Sequence, residues 1–140
     1  MHAARARLNE TFKSHDEAWL LARGGSSEAV LWRLLEGTCP FFLPAVAGAA
    51  FARVRYRITA PDSAEPVELE LVVKDGKCNV EKPSPAASPT LVLSMSLRTM
   101  LETTTLIRHF DAAFRAGDLR ISDGDLHTAL SFLDWFDYYD

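Results

Sequence analysis

The segment FARVRYRI, residues 51–58, determines how the rest of the chain is interpreted. Its apolar residues alternate with Arg53, Arg55 and Arg57, and this two-residue period is typical of a β-strand. Three arginines on one side of a strand could bind phosphate, or they could cover a solvated face of a sheet. The residues that neighbouring strands place opposite the arginines distinguish these two interpretations.

A second alternating segment, VELELVVK at 67–74, predicts the partner strand. Matching the apolar residues of the two strands in an antiparallel pair places Arg55 opposite Glu70 and Arg57 opposite Glu68. Facing pairs of opposite charge contribute about 0.2–1 kcal/mol each. We therefore interpret the arginines as the charged, solvated outer face of a sheet. The net charge of −4 also argues against nucleic acid as a partner.

The remaining patterns extend this sheet. The dipeptide Asp75-Gly76 predicts a tight hairpin into a return strand at 78–82, and two further strands are predicted at 90–95 and 118–122. Helices are expected at 9–23, from Ser26 or Ser27 up to Gly37, and at 97–103, 106–116 and about 123–137. With one face solvated, all helices should cover the other face. The predicted fold is an α+β domain over residues 9–140, with a five-stranded, mainly antiparallel sheet, preceded by a flexible N-terminus at 1–8.

The last predicted helix carries more large apolar side chains than one sheet-facing side requires. One stripe runs from Leu126 to Phe136, and a neighbouring stripe contains Phe132, Trp135 and Tyr139. Two explanations remain open from the residues alone. The second stripe could belong to a large core with a homodimer face, or the interior could hold an apolar cavity between sheet and helices.

Residues 110–137, FDAAFRAGDLRISDGDLHTALSFLDWFD, resemble the C-terminal part of the sterol carrier protein 2 (SCP2) superfamily. The shared pattern is an Ala113-Phe114 pair, Gly117, a short strand, a Gly124-Asp125 turn and a closing apolar helix. The hairpin at 72–80 and the strand entering a helix at 89–102 also match. The ending LDWFD is similar to the SCP2-like C-terminal domains of alkyl sulfatases.

This resemblance implies helices on one face of the sheet and an apolar tunnel that binds a lipid, sterol or alkyl chain. The segment TTTLIRH at 103–109 departs from the family pattern and leaves the rim of the tunnel undefined. The chain also lacks the HxHxDH zinc motif, so sulfatase chemistry is not expected. The residues expected to bind the ligand are Phe41, Phe42, Val54, Tyr56, Leu69, Leu71, Leu101, Ile107, Phe110, Phe114, Leu126, Ala129, Leu130, Leu133 and Phe136.

The sequence offers little support for catalysis. If the domain were instead a small isomerase or cyclase acting on an apolar substrate, His109, Tyr56 and Asp134 would be its candidate catalytic groups. The histidines lack metal-ligand spacing, and no nucleotide-binding motif occurs, so neither a metal nor another cofactor is expected. The predicted function is therefore a non-catalytic carrier or binding module for a small hydrophobic molecule.

Two features concern location and partners. Cys39 and Cys78 lack CxxC spacing and are expected to be free thiols in a reducing compartment, which favours the cytoplasm. The charge-free segment 37–52 contains Pro40 and Pro44 and is shorter than the roughly 20 residues of a membrane span, so a buried connection is expected. Transient membrane contact and a homodimer through the C-terminal helix remain open alternatives.

Overall fold

The computed structural model describes residues 17–105 and 107–137. The predicted flexible start at 1–8, the first half of the predicted first helix, and Leu106 and Tyr139 lie outside these residues. The described helices are α1 (Glu17–Gly24), α2 (Ser27–Thr38), a 3-10 turn (Cys39–Phe41), α3 (Pro44–Ala47), α4 (Leu97–Thr104), α5 (Phe110–Arg115) and α6 (Leu126–Leu133). The strands are β1 (Ala52–Thr59), β2 (Val67–Lys74), β3 (Lys77–Glu81), β4 (Leu91–Ser96) and β5 (Leu119–Ser122).

The strands form one five-stranded sheet in the order β3-β2-β1-β4-β5. Strands β1 and β4 are parallel, and the other neighbouring pairs are antiparallel. The predicted α+β class and mainly antiparallel sheet are therefore confirmed. The register is also the predicted one, with Arg55 opposite Glu70 and Arg57 opposite Glu68. Asp75 and Gly76 both have positive φ, as a tight two-residue turn between β2 and β3 requires.

Several predicted helix boundaries were wrong by a few residues. Helix α2 begins after the predicted cap Ser26, whose hydroxyl accepts from the Ala29 N–H, but it continues through Gly37 to Thr38. Helix α5 begins at Phe110, not at residue 106, because His109 is extended. Helix α6 begins after Asp125, whose carboxylate accepts from the Thr128 N–H, and it ends at Leu133.

The hydrophobic core lies on one face of the sheet, beneath the helices. Helix α2 packs on β2 and β3, α4 packs on β1 and β4, and α5 packs on β5. Leucines from helices and strands are almost completely buried there. They are Leu31, Leu35, Leu69, Leu71, Leu91, Leu93, Leu97, Leu101 and Leu119.

The arginine-bearing face is less solvated than the sequence predicted. Glu70 is fully buried, with Arg53 Nη1 at 2.8 Å from one carboxylate oxygen and Arg55 Nε at 2.9 Å from the other. Hydrogen bonding to Glu70 is the main reason that the pKa of Arg53 is raised. The sequence predicted that the arginine–glutamate pairs are solvated, and this was wrong for Glu70. The long side chains of Arg53 and Arg55 lie along the sheet and cover the Glu70 carboxylate.

Candidate functional site

A cavity of about 290 Å³ lies between the sheet and the helices of the C-terminal half. Its walls come from the end of α2, from β1 and β4, from α4 and α5, and from α6 with the residues after it. The lining residues are Thr38, Tyr56, Met95, Met100, Thr103, Thr104, His109, Phe110, Asp111, Leu130, Leu133, Asp134 and Phe136.

The sheet contributes Tyr56 and Met95 to the floor of the cavity. Because side chains alternate along a strand, Tyr56 lies on the helix-covered face together with Val54 and Ile58. In the parallel pair, Ile58 is the register partner of Met95, so Met95 lies on the same face. Both lining residues are buried, with about 6% of their surface exposed. The floor is therefore part of the continuous core.

Helix α4 forms one wall. Met100, Thr103 and Thr104 are spaced three and four residues apart, so they share one side of the helix. The Ser96 hydroxyl caps the helix by accepting from the Thr99 N–H at 3.1 Å. This cap stabilises the first turn and sets where the lining residues lie.

The opposite wall ends in an aromatic cluster at the last turn of α6 and the residues after it. Phe136 lies 5.6 Å from Phe42 and 5.2 Å from Phe132, measured between ring centroids. Two backbone hydrogen bonds join the same segments: the Leu43 N–H donates to the Trp135 carbonyl at 2.7 Å, and the Asp137 N–H donates to the Phe41 carbonyl at 2.8 Å. The connection after α2 and the chain after α6 therefore form one unit, which we call the 41–43/135–137 clasp.

Polar groups are unevenly distributed around the cavity. The hydroxyls of Thr38 and Thr103 donate to carbonyls of their own helices, from Leu34 and Thr99, at 2.9 Å each. These hydroxyl protons are therefore used within the fold. His109 and Asp134 are exposed. Leu130, which lines the cavity beside them, has 39% of its surface exposed. The exposed polar residues define the rim.

The rim is acidic. Asp111 and Asp134 both line it, and Arg115 lies 3.5 Å from the Asp111 carboxylate, one helical turn away. Exposed pairs of this kind are weak. A group held at this rim therefore experiences two carboxylates, of which one has a cationic neighbour.

The structure brings together five of the fifteen expected ligand-binding residues and separates the others. Tyr56, Phe110, Leu130, Leu133 and Phe136 line the cavity. The remaining ten do not line it: Phe41, Val54, Leu69, Leu71, Leu101 and Ala129 are buried in the core, Phe42, Phe114 and Leu126 are half-buried, and Ile107 is exposed. The three candidate catalytic groups, His109, Tyr56 and Asp134, all line the same cavity.

Sequence reasoning missed Met95 on β4 and the contribution of α4 to the cavity wall. Met95, Met100, Thr103 and Thr104 were not selected, because polar threonines and flexible methionines do not stand out as apolar anchors. The spacing of Met100, Thr103 and Thr104 on one helix face was nevertheless visible in the sequence. Thr38 and Asp111 carried no comparable signal.

Two kinds of site are absent from the described residues. Within 17–105 and 107–137, no group of three or more His, Cys, Asp or Glu side chains is arranged to hold a metal ion. No helix in this part of the chain has the length and apolar character needed to cross a membrane.

The sequence matches a known protein family. The SCP-2 sterol transfer family model matches residues 43–137, more than half of the chain. A search of the curated proteins gave no match.

Solved structures share the fold at low sequence identity. The sec-alkylsulfatase Pisa1 from Pseudomonas sp. gives a TM-score of 0.64 at 10% identity, over 78% of this chain but only 16% of that chain. Palmitated SCP2L2 from Aedes aegypti gives 0.56 at 16% identity, over 81% and 98% of the two chains. Sterol carrier protein 2 from Yarrowia lipolytica gives 0.54 at 14% identity, over 75% and 92%.

The family match runs from residue 43 to the end of the described chain, and so includes α3, the whole sheet, α4, α5, α6 and most of the cavity wall. The structural neighbours have the same fold over three quarters or more of this chain. The protein is therefore a member of the SCP-2 sterol transfer family.

Proposed function

We propose that the protein binds a single alkyl chain, or a lipid through its alkyl chain, in the cavity between the sheet and α4–α6, and that it does so without catalysis. The observation that carries this proposal is the cavity itself, with Tyr56, Met100 and Phe136 buried around its interior and Leu130 partly exposed at its mouth. Apolar surface transferred from water into such a site contributes about 25 cal/mol per Å².

The volume favours a slender ligand. Ligand pockets commonly occupy roughly 300–1,000 Å³, and the cavity of about 290 Å³ lies just below this range. A flexible chain adapts to such a space, whereas a rigid four-ring sterol would require the walls to move apart. The palmitated state of the Aedes aegypti neighbour supports an alkyl ligand for this fold.

The rim favours a head group without negative charge. Asp111 and Asp134 repel an anionic head group, while their oxygens accept hydrogen bonds from a hydroxyl or an amine. We therefore propose a neutral or cationic amphiphile as the preferred ligand class. An alkyl carboxylate would bind with the same chain contacts but with a less favourable head group.

Fluorescence of cis-parinaric acid, a long-chain polyunsaturated fatty acid, tests the binding proposal. The wild-type protein should bind one probe molecule, and a neutral alkyl alcohol should displace it. Leu133→Trp places an indole in the cavity and should weaken probe binding at least tenfold. Val46→Trp is the matched control, because Val46 lies on α3 away from the cavity and has 58% of its surface exposed. Equal binding by both variants would contradict the proposed site.

A second candidate function is an isomerase or cyclase acting on an apolar substrate in the same cavity. The observation in its favour is that Tyr56, His109 and Asp134 line one cavity. Against it, His109 and Asp134 are exposed, whereas acid–base groups tuned for catalysis usually lie in desolvated sites. The variant His109→Ala separates the two functions. A carrier should retain its ligand affinity within about twofold. If the wild-type protein converts a bound substrate and the variant does not, the enzyme is favoured.

A further inference from the structure

The two cysteines lie side by side although 39 positions separate them in the chain. Cys39 begins the 3-10 turn after α2, and Cys78 lies on β3, the edge strand of the sheet. Their sulfur atoms are 3.2 Å apart, a thiol–thiol hydrogen-bonding distance. Cys78 is opposite Val73 in the register and so faces the helices. The sequence predicted free thiols but no proximity between them.

We propose that Cys39 and Cys78 form a reversible disulfide that fixes the wall of the cavity to the edge of the sheet. A disulfide has a sulfur–sulfur distance of about 2.05 Å, so the two sulfurs must approach by about 1.2 Å from their present separation. Both side chains are half-buried, which leaves them accessible to a small oxidant.

The two thiols have different roles in this reaction. The hydrogen bond from Cys78 is the main cause that lowers the pKa of Cys39, although burial and the neighbouring Glu36 oppose it. The same contact, together with burial, raises the pKa of Cys78. Cys39 is therefore the thiol that loses its proton first and attacks as thiolate.

The oxidant we propose is a small-molecule disulfide, and the exchange balances in two steps. The Cys39 thiolate attacks one sulfur of the small disulfide, breaking its S–S bond and releasing one small thiol. Cys78 then loses its proton and attacks Cys39 Sγ, which forms the protein disulfide and releases the second small thiol. The two cysteines lose two electrons and two protons, and the small disulfide is reduced to two thiols.

The position of Cys39 connects this bond to the cavity. Thr38, which lines the cavity, precedes it, and Phe41 follows within the same turn. Phe41 belongs to the 41–43/135–137 clasp, which places Phe136 in the cavity wall. Tying Cys39 to β3 therefore restricts the segment on which the clasp is built.

Three measurements on the purified full chain test the proposal. Incubation with oxidised glutathione should remove both free thiols and lower the monomer mass by two hydrogens, with dithiothreitol reversing the change. A bridge closing a loop of this length should raise Tm by about 10 °C relative to the reduced protein. Amide hydrogen exchange at Leu43 and Asp137, the two clasp donors, should slow on the order of tenfold in the oxidised protein.

Cys39→Ser and Cys78→Ser are matched controls, with the alanine variants as alternatives if a serine variant folds poorly. Each should lose the redox response of Tm and of the two amides. Two free thiols after prolonged oxidation, a persistent glutathione adduct, or disulfides only between molecules would overturn the intramolecular bridge. A bridge that leaves exchange at Leu43 and Asp137 unchanged would overturn its action on the cavity wall. Because none of these measurements uses a ligand, their outcome is independent of the lipid-binding proposal.

Discussion

The interior above the sheet has two differently packed halves. In one half, α2 packs on β2 through fully buried residues such as Leu31, Leu35 and Leu71. Between β1, β4 and the C-terminal helices, Tyr56, Met95 and Met100 instead surround a cavity of about 290 Å³. We call these the filled half and the hollow half. One sheet and one core support both, so the cavity is a local property of α4–α6 and not a sign of a loosely packed domain.

The largest expected effect comes from a cavity created in the filled half. Leu71 is completely buried in the core, and Leu71→Ala should lower the free energy of unfolding by about 2–5 kcal/mol. Leu133 is half-buried beside existing empty space, so Leu133→Ala should cost only about 1 kcal/mol. Urea unfolding measures both changes. Equal losses would show that the two halves are packed alike.

The opposite face of the sheet provides a test of stability separate from the cavity. Glu70→Ala leaves Arg53 and Arg55 without their buried partner and should cost about 3 kcal/mol, because breaking a buried ion pair is strongly destabilising. Binding of cis-parinaric acid should remain within about twofold of wild type at a temperature where the variant is folded.

The control for this variant is Glu68→Ala on the same strand. Glu68 faces Arg57 and is only partly buried, so its removal should cost less than about 1 kcal/mol. A cost at Glu70 as small as that at Glu68 would restore the solvated-face interpretation that the sequence suggested.

Two tryptophan substitutions in α6 compare a filled position with a cavity-lining position within one helix of the hollow half. Ala129 has 1% of its surface exposed and does not line the cavity, so Ala129→Trp should overpack the core and cost about 1–3 kcal/mol. Leu133→Trp should change the free energy of unfolding by less than about 0.5 kcal/mol, because the indole occupies the cavity. Thermal unfolding of both variants checks this, and a reversed order of stability would place the empty space elsewhere along the helix.

The smallest expected effect concerns the rim. Asp134→Asn removes one negative charge and should tighten binding of an alkyl carboxylate about two- to fivefold, as expected for an exposed charge interaction. Binding of the alcohol of equal chain length should change by less than twofold. Calorimetric titration of both ligands gives the comparison, and a carboxylate that binds more weakly to the variant would contradict the proposed repulsion.

The sheet was predictable because its signals are local and mutually consistent. The two-residue period, the Asp75-Gly76 turn and the match of arginines to glutamates all favoured one register, which the structure confirms. The burial of Glu70 was not predictable, because it depends on how the side chains of Arg53 and Arg55 lie across the sheet.

The cavity was harder to predict than the fold. Periodicity identifies which residues face the interior, but it does not distinguish residues that fill space from residues that surround it. Leu69 and Tyr56 both alternate inward, yet only Tyr56 borders the cavity. The proximity of Cys39 and Cys78 likewise depends on how α2 crosses the edge strand, a tertiary relation without a local signal.

The most direct test of the central claim is calorimetric titration of the wild-type protein with linear primary alcohols from hexanol to dodecanol. Each CH₂ buried contributes about 0.8 kcal/mol, so the affinity should rise about fourfold per added carbon at one-to-one stoichiometry. The increase should end at the chain length that fills the 290 Å³ cavity. The same series with Leu133→Trp should reach its limit at a shorter chain. An affinity that does not depend on chain length, or the same limit in both proteins, would contradict alkyl binding in the hollow half.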